Sequence, residues 1–305
     1  METFKHKQLP YSKEWLRERA FNSLEKIGEG VWDFSDSLLL YNSEGAEEYA
    51  SLQETDTPYS RMVTKPEKEY LKEIAENIVA ELPDQFQYID LGPGSEHKEQ
   101  FFFDAAKNRG KEFLYTPVDI NEDFLKLSDK YVSSQGIRVN PLRTSFEELP
   151  ERLGKASTQR FASLGLTFSN YAPEKILRLL KSIVGEKGYA FINAQIRNRI
   201  DMEELQNAYS GDTYKVFEPK IELLGLSPQE DVSSRETDDG IRVWYTLKNS
   251  NEKLEAKGVA RGDKLLVFQS LRYNKESLEK EIAAVFPEHT LYDTEKSFIG
   301  ALLKS

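Results

Sequence analysis

The sequence predicts an α/β protein built around a doubly wound, mostly parallel sheet. From Tyr88 onward, short apolar runs typical of buried strands alternate with segments of helical periodicity. The first run ends in the turn Asp90-Leu-Gly92-Pro-Gly94, and the next strand, 113–118, ends in Asp119. Glycines at a strand end let a ligand approach the backbone, and an acid at the neighbouring strand end can bond ribose hydroxyls. These observations predict a nucleoside site at the carboxyl edge of the sheet.

The core elements follow one another in a regular order. We expect strands at 88–91, 113–118, 137–142, 161–166 and 188–195, with helices at 97–108, 122–131 and 173–184. Pro173 is a favoured first-turn residue for the last of these helices. A strand at 264–273, a helix at 275–285 capped by Asn274 and a strand at 297–303 then close the sheet in an antiparallel hairpin-like arrangement. Right-handed crossovers between the parallel strands place helices on both faces.

Two further regions flank this core. Helical signals at 13–27 and 66–82 predict an N-terminal helical layer, with an ordered loop between them that carries several tyrosines. Residues 200–263 break the alternation and predict an inserted α+β lobe. Its expected elements are helices at 201–209 and 219–224, an acidic loop at 229–240 and strands at 241–247 and 254–259. The predicted division is therefore 1–85 for the layer, 86–199 and 264–305 for the core, and 200–263 for the lobe.

Composition narrows the possible functions. The chain has 305 residues, 39% hydrophobic and 30% charged, which is typical of a soluble globular protein. No apolar run is long enough for a membrane span and the N-terminus lacks a signal-peptide core, so we expect a cytoplasmic protein. We also expect it to be a monomer or a weak homodimer. A formal net charge of −11 disfavours nucleic acids and anionic lipid. With no cysteine and three scattered histidines, we expect no metal site and a small-molecule partner.

The glycine turn is weak evidence when taken alone. Gly92-Pro93-Gly94 could be only a turn, and it lacks the third glycine that a hydride-transfer dinucleotide fingerprint requires. Ser145-Phe146-Glu147, after the third strand, strengthens the nucleoside interpretation because Phe146 can contact an adenine ring. Asn170 follows the fourth strand and faces the same cleft by position, although its residue type also suits a turn or a helix cap.

Four segments, in this order and spacing, resemble the family of histidine-specific methyltransferases that depend on S-adenosylmethionine. They are Leu91-Gly-Pro-Gly-Ser-Glu-His-Lys98, Pro117-Val-Asp119-Ile, Ser145-Phe146-Glu147 and Leu164-Gly-Leu-Thr-Phe-Ser-Asn170. Tyr41-Asn-Ser-Glu-Gly45 and Asn207-Ala-Tyr209 resemble two further signatures of the family. The resemblance covers roughly residues 35–303 and implies a Rossmann-like class I methyltransferase sheet with S-adenosylmethionine as cofactor. The family is known from ergothioneine biosynthesis; several members methylate the α-amino group of histidine, and fungal relatives modify prenylated tryptophan.

The resemblance also implies roles for individual residues. The expected cofactor contacts are Asp90, Gly92, Gly94, Lys98, Asp119, Ser145 and Phe146. Asn170 and Tyr209 would hold the carboxylate of an amino-acid substrate, and Tyr41 and Tyr59 would line its amine. Tyr59 is equally well explained as a packed tyrosine, because the family's Tyr-Tyr-x-Thr-Arg run is displaced here. A tyrosine beside the amine could pass its proton to water, and Tyr41 is the candidate catalytic residue.

The most consequential departure from the family is Phe268. Histidine-specific members have Glu-x-Ser at this place, and the glutamate binds the imidazole ring; this chain keeps Ser270 but has a phenylalanine instead of the acid. An imidazole left unpaired there would cost about 1–3 kcal/mol. Ser145 likewise replaces the usual acid before Phe146. We therefore expect an acceptor other than histidine, bound in an apolar pocket near Phe268 and Ser270.

Three hypotheses follow. The first is an N-methyltransferase that acts on the amino group of an amino acid or an amino-acid-derived small molecule. The second, motivated by Phe268 and Ser145, is a methyltransferase-like binding protein that has lost turnover. The third is a nucleotide-dependent oxidoreductase, which the missing third glycine disfavours.

Overall fold

The computed structural model describes residues 10–41, 43–54, 56–155, 157–227 and 232–305, without the side chains of 41, 43, 44, 46, 49, 53, 54 and 212. Its strands are β1 Glu25–Gly28, β2 Val31–Asp33, β3 Gln85–Leu91, β4 Glu112–Asp119, β5 Leu142–Arg143, β6 Gln159–Gly165, β7 Tyr189–Gln195, β8 Val232–Thr237, β9 Gly240–Thr246, β10 Lys264–Leu271, β11 Glu288–Asp293 and β12 Phe298–Lys304. Its α-helices are α1 Lys13–Ser23, α2 Ser43–Glu54, α3 Lys65–Glu81, α4 Gln100–Asn108, α5 Glu122–Ser133, α6 Leu149–Leu153, α7 Pro173–Val184, α8 Met202–Ala208, α9 Glu218–Leu223, α10 Glu252–Ala256 and α11 Lys275–Val285.

The larger sheet has seven strands in the order β11-β12-β7-β6-β3-β4-β5. Strands β3 to β7 are parallel, whereas β12 pairs antiparallel with β7 and with β11. From β3 the chain first proceeds outward to β4 and β5 and then returns to β6 on the other side. This reversal makes the carboxyl ends of β3 and β6 the topological switch point, where ligands bind in such sheets. The predicted doubly wound α/β fold class is confirmed.

Helices cover both faces of this sheet because their apolar residues recur at helical spacing. On α7, the buried residues are Ile176, Leu177, Leu180, Ile183 and Val184, which form one continuous stripe. Helices α7 and α11 contribute to the apolar core on one face, and α3 and α4 contribute to the core on the other. Burying each such side chain stabilises the fold by about 1.5–3 kcal/mol. The sheet edge that carries the site is therefore held between two packed layers.

The second sheet has five strands in the order β1-β2-β10-β9-β8. Its pairs are antiparallel except for β2 and β10, which are parallel. After β10 the chain passes to the large sheet, where Tyr273 forms a parallel bridge with Ile196. Because of this connection, the end of β10 lies over the carboxyl edge of the large sheet.

Several predicted elements are wrong. Strand 264–273 was expected in the large sheet, but β10 pairs in the second sheet, and the hairpin that closes the large sheet is β11 with β12. The predicted helix 13–27 ends at Ser23, and the chain then forms β1 and β2, which are joined by a tight turn where Gly30 has a φ of +61°. The N-terminal layer therefore contains two strands of the second sheet.

Other differences come from capping and short-range pairing. The strand predicted at 254–259 overlaps the second half of helix α10, whose N-cap Asn251 accepts a hydrogen bond from the Leu254 N–H at 3.1 Å. The described part of the predicted acidic loop contains β8, whereas residues 229–231 lie outside the described ranges. The ordered loop expected between the two N-terminal helices is partly helical, with the 3₁₀ turn Ser37–Tyr41, the helix α2 and the π-helical turn Ser60–Thr64. None of the described helices is long and apolar enough to cross a membrane.

Candidate active site

The glycine turn after β3 lies at the switch point and has the backbone conformation that requires glycine. Gly92 and Gly94 have φ angles of +73° and +63°, in the left-handed region that is costly for other residues. The Gly92 N–H donates to the Val118 carbonyl at 2.9 Å, which ties this turn to the end of β4. A side chain on Gly92 would come within 3.7 Å of the Phe146 ring. The turn therefore leaves its backbone open to a ligand.

An outer cleft of about 720 Å³ opens in front of this turn, counting its open mouth. Six of the predicted cofactor residues line it: Gly92, Gly94, Lys98, Asp119, Ser145 and Phe146. Apolar residues that the sequence analysis did not single out complete its walls: Leu38, Ile120, Phe124 and Tyr171. The Phe146 and Tyr171 rings lie 6.5 Å apart. The cleft thus combines flat apolar walls with three acids, Glu96, Asp119 and Glu147, of which Asp119 stands at the strand end where ribose hydroxyls can bind, and this combination suits a nucleoside.

Asp119 is the acid at the strand end of this cleft. Its Oδ1 accepts a hydrogen bond from the Asn121 N–H at 2.8 Å, which orients the carboxyl group. Burial raises the pKa of Asp119 to about 7, and the backbone N–H groups of Asn121 and Ile120 oppose that shift. The carboxylate retains free acceptor sites, so it can bind a pair of vicinal hydroxyls.

Ser145 is buried and largely satisfied by its own surroundings. Its N–H donates to the Tyr11 hydroxyl at 3.0 Å, and its Oγ accepts a bond from the Glu148 N–H at 3.4 Å. The Tyr11 hydroxyl in turn donates to Glu148 Oε2 at 2.7 Å. The segment before α1 thus braces the cleft, and nothing in the sequence pattern had indicated that contact.

Asp90 lies deeper, in an inner cavity of about 430 Å³ that also has Glu67, Lys98 and Gly165 in its wall. The Tyr115 hydroxyl donates to Asp90 Oδ2 at 2.7 Å. Burial, reinforced by the nearby Glu99 carboxylate, raises the pKa of Asp90 to about 7, although the Tyr115 bond works against the shift. Asp90 is therefore set back from the outer cleft that holds the other predicted cofactor residues.

Lys98 lies where the cavities meet. Its Nζ is 2.8 Å from Glu67 Oε2 and 3.1 Å from Glu96 Oε2. Burial favours the neutral amine, but the carboxylates of Glu67 and Glu96 outweigh it and raise the pKa of Lys98 above its usual value. Sequence reasoning missed Glu67 as a site residue. The signal that could have revealed it was the run Thr64-Lys-Pro-Glu67, which follows Tyr59 where the family's Tyr-Tyr-x-Thr-Arg run is displaced.

A third cavity, the lobe cavity of about 600 Å³, contains the predicted substrate residues Tyr59, Asn170, Tyr209, Phe268 and Ser270 in its wall. The Tyr209 hydroxyl and Ser270 Oγ are 3.0 Å apart. The Tyr209 ring lies 5.6 Å from that of Tyr59 and 5.8 Å from that of Phe268. The side chain of Tyr41, the predicted catalytic residue, lies outside the described part of the chain, although the neighbouring Leu40 lines this cavity.

Lys98 and Thr167 each line all three cavities. Two molecules, one in the outer cleft and inner cavity and one in the lobe cavity, would therefore meet beside these residues. The elements that create this junction come from both sheets, since Phe268 and Ser270 lie on β10 and Asp119 ends β4. The arrangement can bring two bound reactants into contact without a covalent link to the protein.

Comparison with known proteins gives one family match. Residues 26–217, more than half of the chain, match the family described as "Histidine-specific methyltransferase, SAM-dependent". A histidine N-alpha-methyltransferase of Mycobacterium tuberculosis (strain CDC 1551 / Oshkosh) is 24% identical over 99 residues, which cover 32% of this chain. The chain matches only 31% of that relative's length. The family match confirms the resemblance drawn from the sequence motifs.

Solved structures with a similar chain path are distant in sequence. A protein from Pyrococcus horikoshii OT3 is 13% identical, with a TM-score of 0.47 and coverage of 84% of this chain and 98% of that one. An S-adenosylmethionine-dependent methyltransferase from Clostridium acetobutylicum ATCC 824 is 12% identical, with a TM-score of 0.39 and coverage of 85% and 96%.

Proposed function

This chain belongs to the family of histidine-specific, S-adenosylmethionine-dependent methyltransferases, and on that premise we propose that it methylates the amino group of an amino acid or amino-acid-derived small molecule other than histidine. The observation that carries the proposal is Phe268, which lines the lobe cavity where histidine-specific members have an acid. Its ring is 5.2 Å from that of Phe217 and stacks on Tyr209. An apolar or aromatic acceptor side chain can pack there, whereas an imidazole would lose its charged partner.

The residues of the outer cleft fit the adenosyl part of the cofactor. The Asp119 carboxylate is available for the ribose hydroxyls, and the Phe146 and Tyr171 rings offer faces for the adenine. Lys98 and the acids of the inner cavity can pair with the charges of the methionine part. We assign Gly92, Gly94 and Ser145 to the same region and Asp90 to its inner end.

The protein's contribution to methyl transfer is mainly alignment. S-adenosylmethionine supplies an electrophilic methyl group when bound. The residues around Lys98 and Thr167 fix where an acceptor amine can approach, and a fixed approach removes most of the entropy cost of a two-molecule reaction. Asn170 and Tyr209 would hold the acceptor's carboxylate. Tyr41 is our candidate for taking the amine proton, and the Tyr59, Tyr209 and Phe268 rings can stabilise cationic groups by cation–π attraction.

The test is methyl transfer from labelled S-adenosylmethionine to a panel of amines that includes histidine, tryptophan, phenylalanine and leucine. We expect at least one apolar amino acid to be methylated with kcat/KM about tenfold or more above that of histidine. Phe268→Glu should lower the ratio of kcat/KM for the apolar amino acid to kcat/KM for histidine, or invert it, because the variant restores an acid for the imidazole. Phe21→Glu, in a half-buried aromatic position on α1 that lines none of the three cavities, is the matched control and should leave the ratio unchanged. Preference of the unaltered protein for histidine would refute the proposal.

A second candidate function is small-molecule binding without turnover. It is favoured by Ser145, whose hydroxyl is bonded within its own loop where relatives have an acid. Binding of S-adenosylhomocysteine, with no labelled product from any amine of the panel, would support this alternative. Absence of binding to either cofactor form would contradict both.

A further inference from the structure

Two buried oxygen acceptors, one on Glu67 and one on Asn193, lie near the inner end of the site. Glu67, on the first turn of α3, is 2% exposed, and Asn193, in the middle of β7, is fully buried. The Asn193 Nδ2 donates to Glu67 Oε1 at 3.0 Å. Asn193 Oδ1 has no hydrogen-bond partner among the described residues. Burying an amide oxygen without a donor is costly, so this acceptor indicates that a ligand supplies one.

A glycine leaves room for that donor. Gly165 ends β6 with a φ of +57°, and a Cβ built on it would lie 3.6 Å from Asn193 Oδ1 and 3.7 Å from Glu67 Oε1. Both oxygens therefore approach the bare face of the same glycine. Gly165 and Glu67 both line the inner cavity, so a molecule bound there can approach this glycine, whereas Asn193 is not itself among the residues of the cavity wall.

The charge around this face favours a cation. Among the described residues that line the inner cavity, three are acids and one is a lysine: Glu67, Asp90, Glu99 and Lys98. Lys98 does not neutralise Glu67 alone, because its Nζ is shared with Glu96. Each carboxylate oxygen has two acceptor sites, so Glu67 Oε1 can accept a second bond besides that from Asn193.

We propose that Glu67 Oε1 and Asn193 Oδ1, at the bare face of Gly165, form a binding site for a primary ammonium group. An ammonium offers three N–H donors and a positive charge to a site with acceptors and surplus negative charge. The proposal rests on the proposed function, which supplies two sources of that group. One is the amino-acid end of the cofactor, and the other is the amine of the acceptor, because Glu67 also lines the lobe cavity.

Calorimetry with three nucleosides separates the two sources. S-adenosylhomocysteine has both the ammonium and the carboxylate, its decarboxylated analogue has only the ammonium, and methylthioadenosine has neither. If the cofactor is the source, Glu67→Gln should weaken binding of the first two by roughly tenfold to a hundredfold and leave methylthioadenosine unchanged. Lys98→Met should weaken binding of S-adenosylhomocysteine but not of its decarboxylated analogue, since Lys98 can only pair with the carboxylate.

If the acceptor is the source, Glu67→Gln should leave all three nucleosides unchanged and raise the KM of the methylated amine by a similar factor. If Glu67→Gln changes neither the affinity for the nucleosides nor the KM of the methylated amine, the inference is overturned. Gly165→Ala, which fills the face without removing a charge, should weaken the same ligands as Glu67→Gln. It provides a second test if that variant does not fold.

Glu73→Gln is the matched control, because Glu73 lies on the same helix in an exposed pair with Lys296 and lines none of the three cavities. It should change neither affinity nor KM. Failure of the unaltered protein to bind either S-adenosylhomocysteine or methylthioadenosine would instead contradict the proposed function, so the two failures are distinguishable.

Discussion

Asp90 and Asp119, at the ends of two neighbouring strands, make the site sensitive to pH. Burial raises both pKa values to about 7, whereas an unfolded chain ionises these groups near 3.8. Between those values the folded protein holds protons that the unfolded chain releases, so stability falls as the pH rises from about 4 through about 7. We expect the melting temperature of the ligand-free protein to be higher at pH 5 than at pH 8. A flat profile in differential scanning calorimetry would contradict the buried state of these carboxyl groups.

Cofactor affinity should rise with increasing pH, whereas the stability of the ligand-free protein falls. A cationic sulfonium favours the ionised carboxylates, so S-adenosylmethionine should bind more tightly at pH 8 than at pH 6. S-adenosylhomocysteine lacks the sulfonium charge and should show a smaller change. Calorimetric titrations of both ligands at the two pH values make the comparison. An equal pH dependence for the two ligands would argue against an attraction between the sulfonium and the ionised carboxylates.

Removal of Asp119 should separate cofactor binding from acceptor binding. Asp119→Ala deletes the carboxylate of the outer cleft, and we expect S-adenosylhomocysteine affinity to fall about tenfold to a hundredfold, as for a lost charged hydrogen bond. Asn170→Ala is the comparison, because Asn170 lines only the lobe cavity among the three described above. It should leave cofactor affinity nearly unchanged and raise the acceptor's KM. Equal losses in both variants would refute the assigned division of roles.

At the scale of elements, helix α8 links capping to acceptor binding. Its N-cap, Asp201, accepts a hydrogen bond from the Glu204 N–H at 3.0 Å, and its C-cap is Tyr209. Asp201→Ala should lower the free energy of unfolding by about 1 kcal/mol and raise the acceptor's KM, with S-adenosylhomocysteine affinity unchanged. Urea denaturation and steady-state kinetics measure the two effects.

The control for that variant is the N-cap of another helix in the segment 200–263. Asn251→Ala removes the cap of α10, which lines none of the three cavities. It should lower stability by a similar amount without changing KM. A raised KM in both variants would show that the effect of Asp201→Ala is only global.

The elements also show where sequence periodicity is informative. Helices α4, α5 and α7 were predicted because each has a long apolar stripe, which is a local property. The pairing of β10 was not predictable in this way, because its continuous apolar run at 265–268 fits either sheet equally well. Its partners β2 and β9 flank it in the sheet although they come from distant parts of the chain, and only their joint packing places it in the second sheet.

At the scale of the whole molecule, the tryptophans report only on the part of the chain outside the seven-stranded sheet. The chain has three, Trp15 on α1, Trp32 on β2 and Trp244 on β9, and none lies in the seven-stranded sheet. If the two sheets unfold as one unit, S-adenosylhomocysteine at a hundred times its Kd should stabilise both by about 2.7 kcal/mol. The unfolding midpoint seen by tryptophan fluorescence should then shift as far as the one seen by far-ultraviolet circular dichroism.

Different shifts for the two probes would contradict that cooperativity, since a ligand of the large sheet would then leave the second sheet unaffected. The expected monomer or weak homodimer, the cytoplasmic location and the lack of affinity for nucleic acid stay predictions. Sedimentation at several protein concentrations tests the first. Retention on immobilised DNA at moderate salt tests the last.

The sequence alone determined the order of the parallel strands β3 to β7 and of the helices α4, α5 and α7, the glycine turn at Gly92 and the acid at Asp119. These features depend on neighbouring residues, on apolar periodicity and on backbone conformations that glycine alone adopts at low cost. Only the tertiary structure decided that β10 brings Phe268 over the switch point and that Glu67 meets Asn193, 126 residues away. Such contacts depend on which surfaces bury one another, and no local pattern in the chain records that choice.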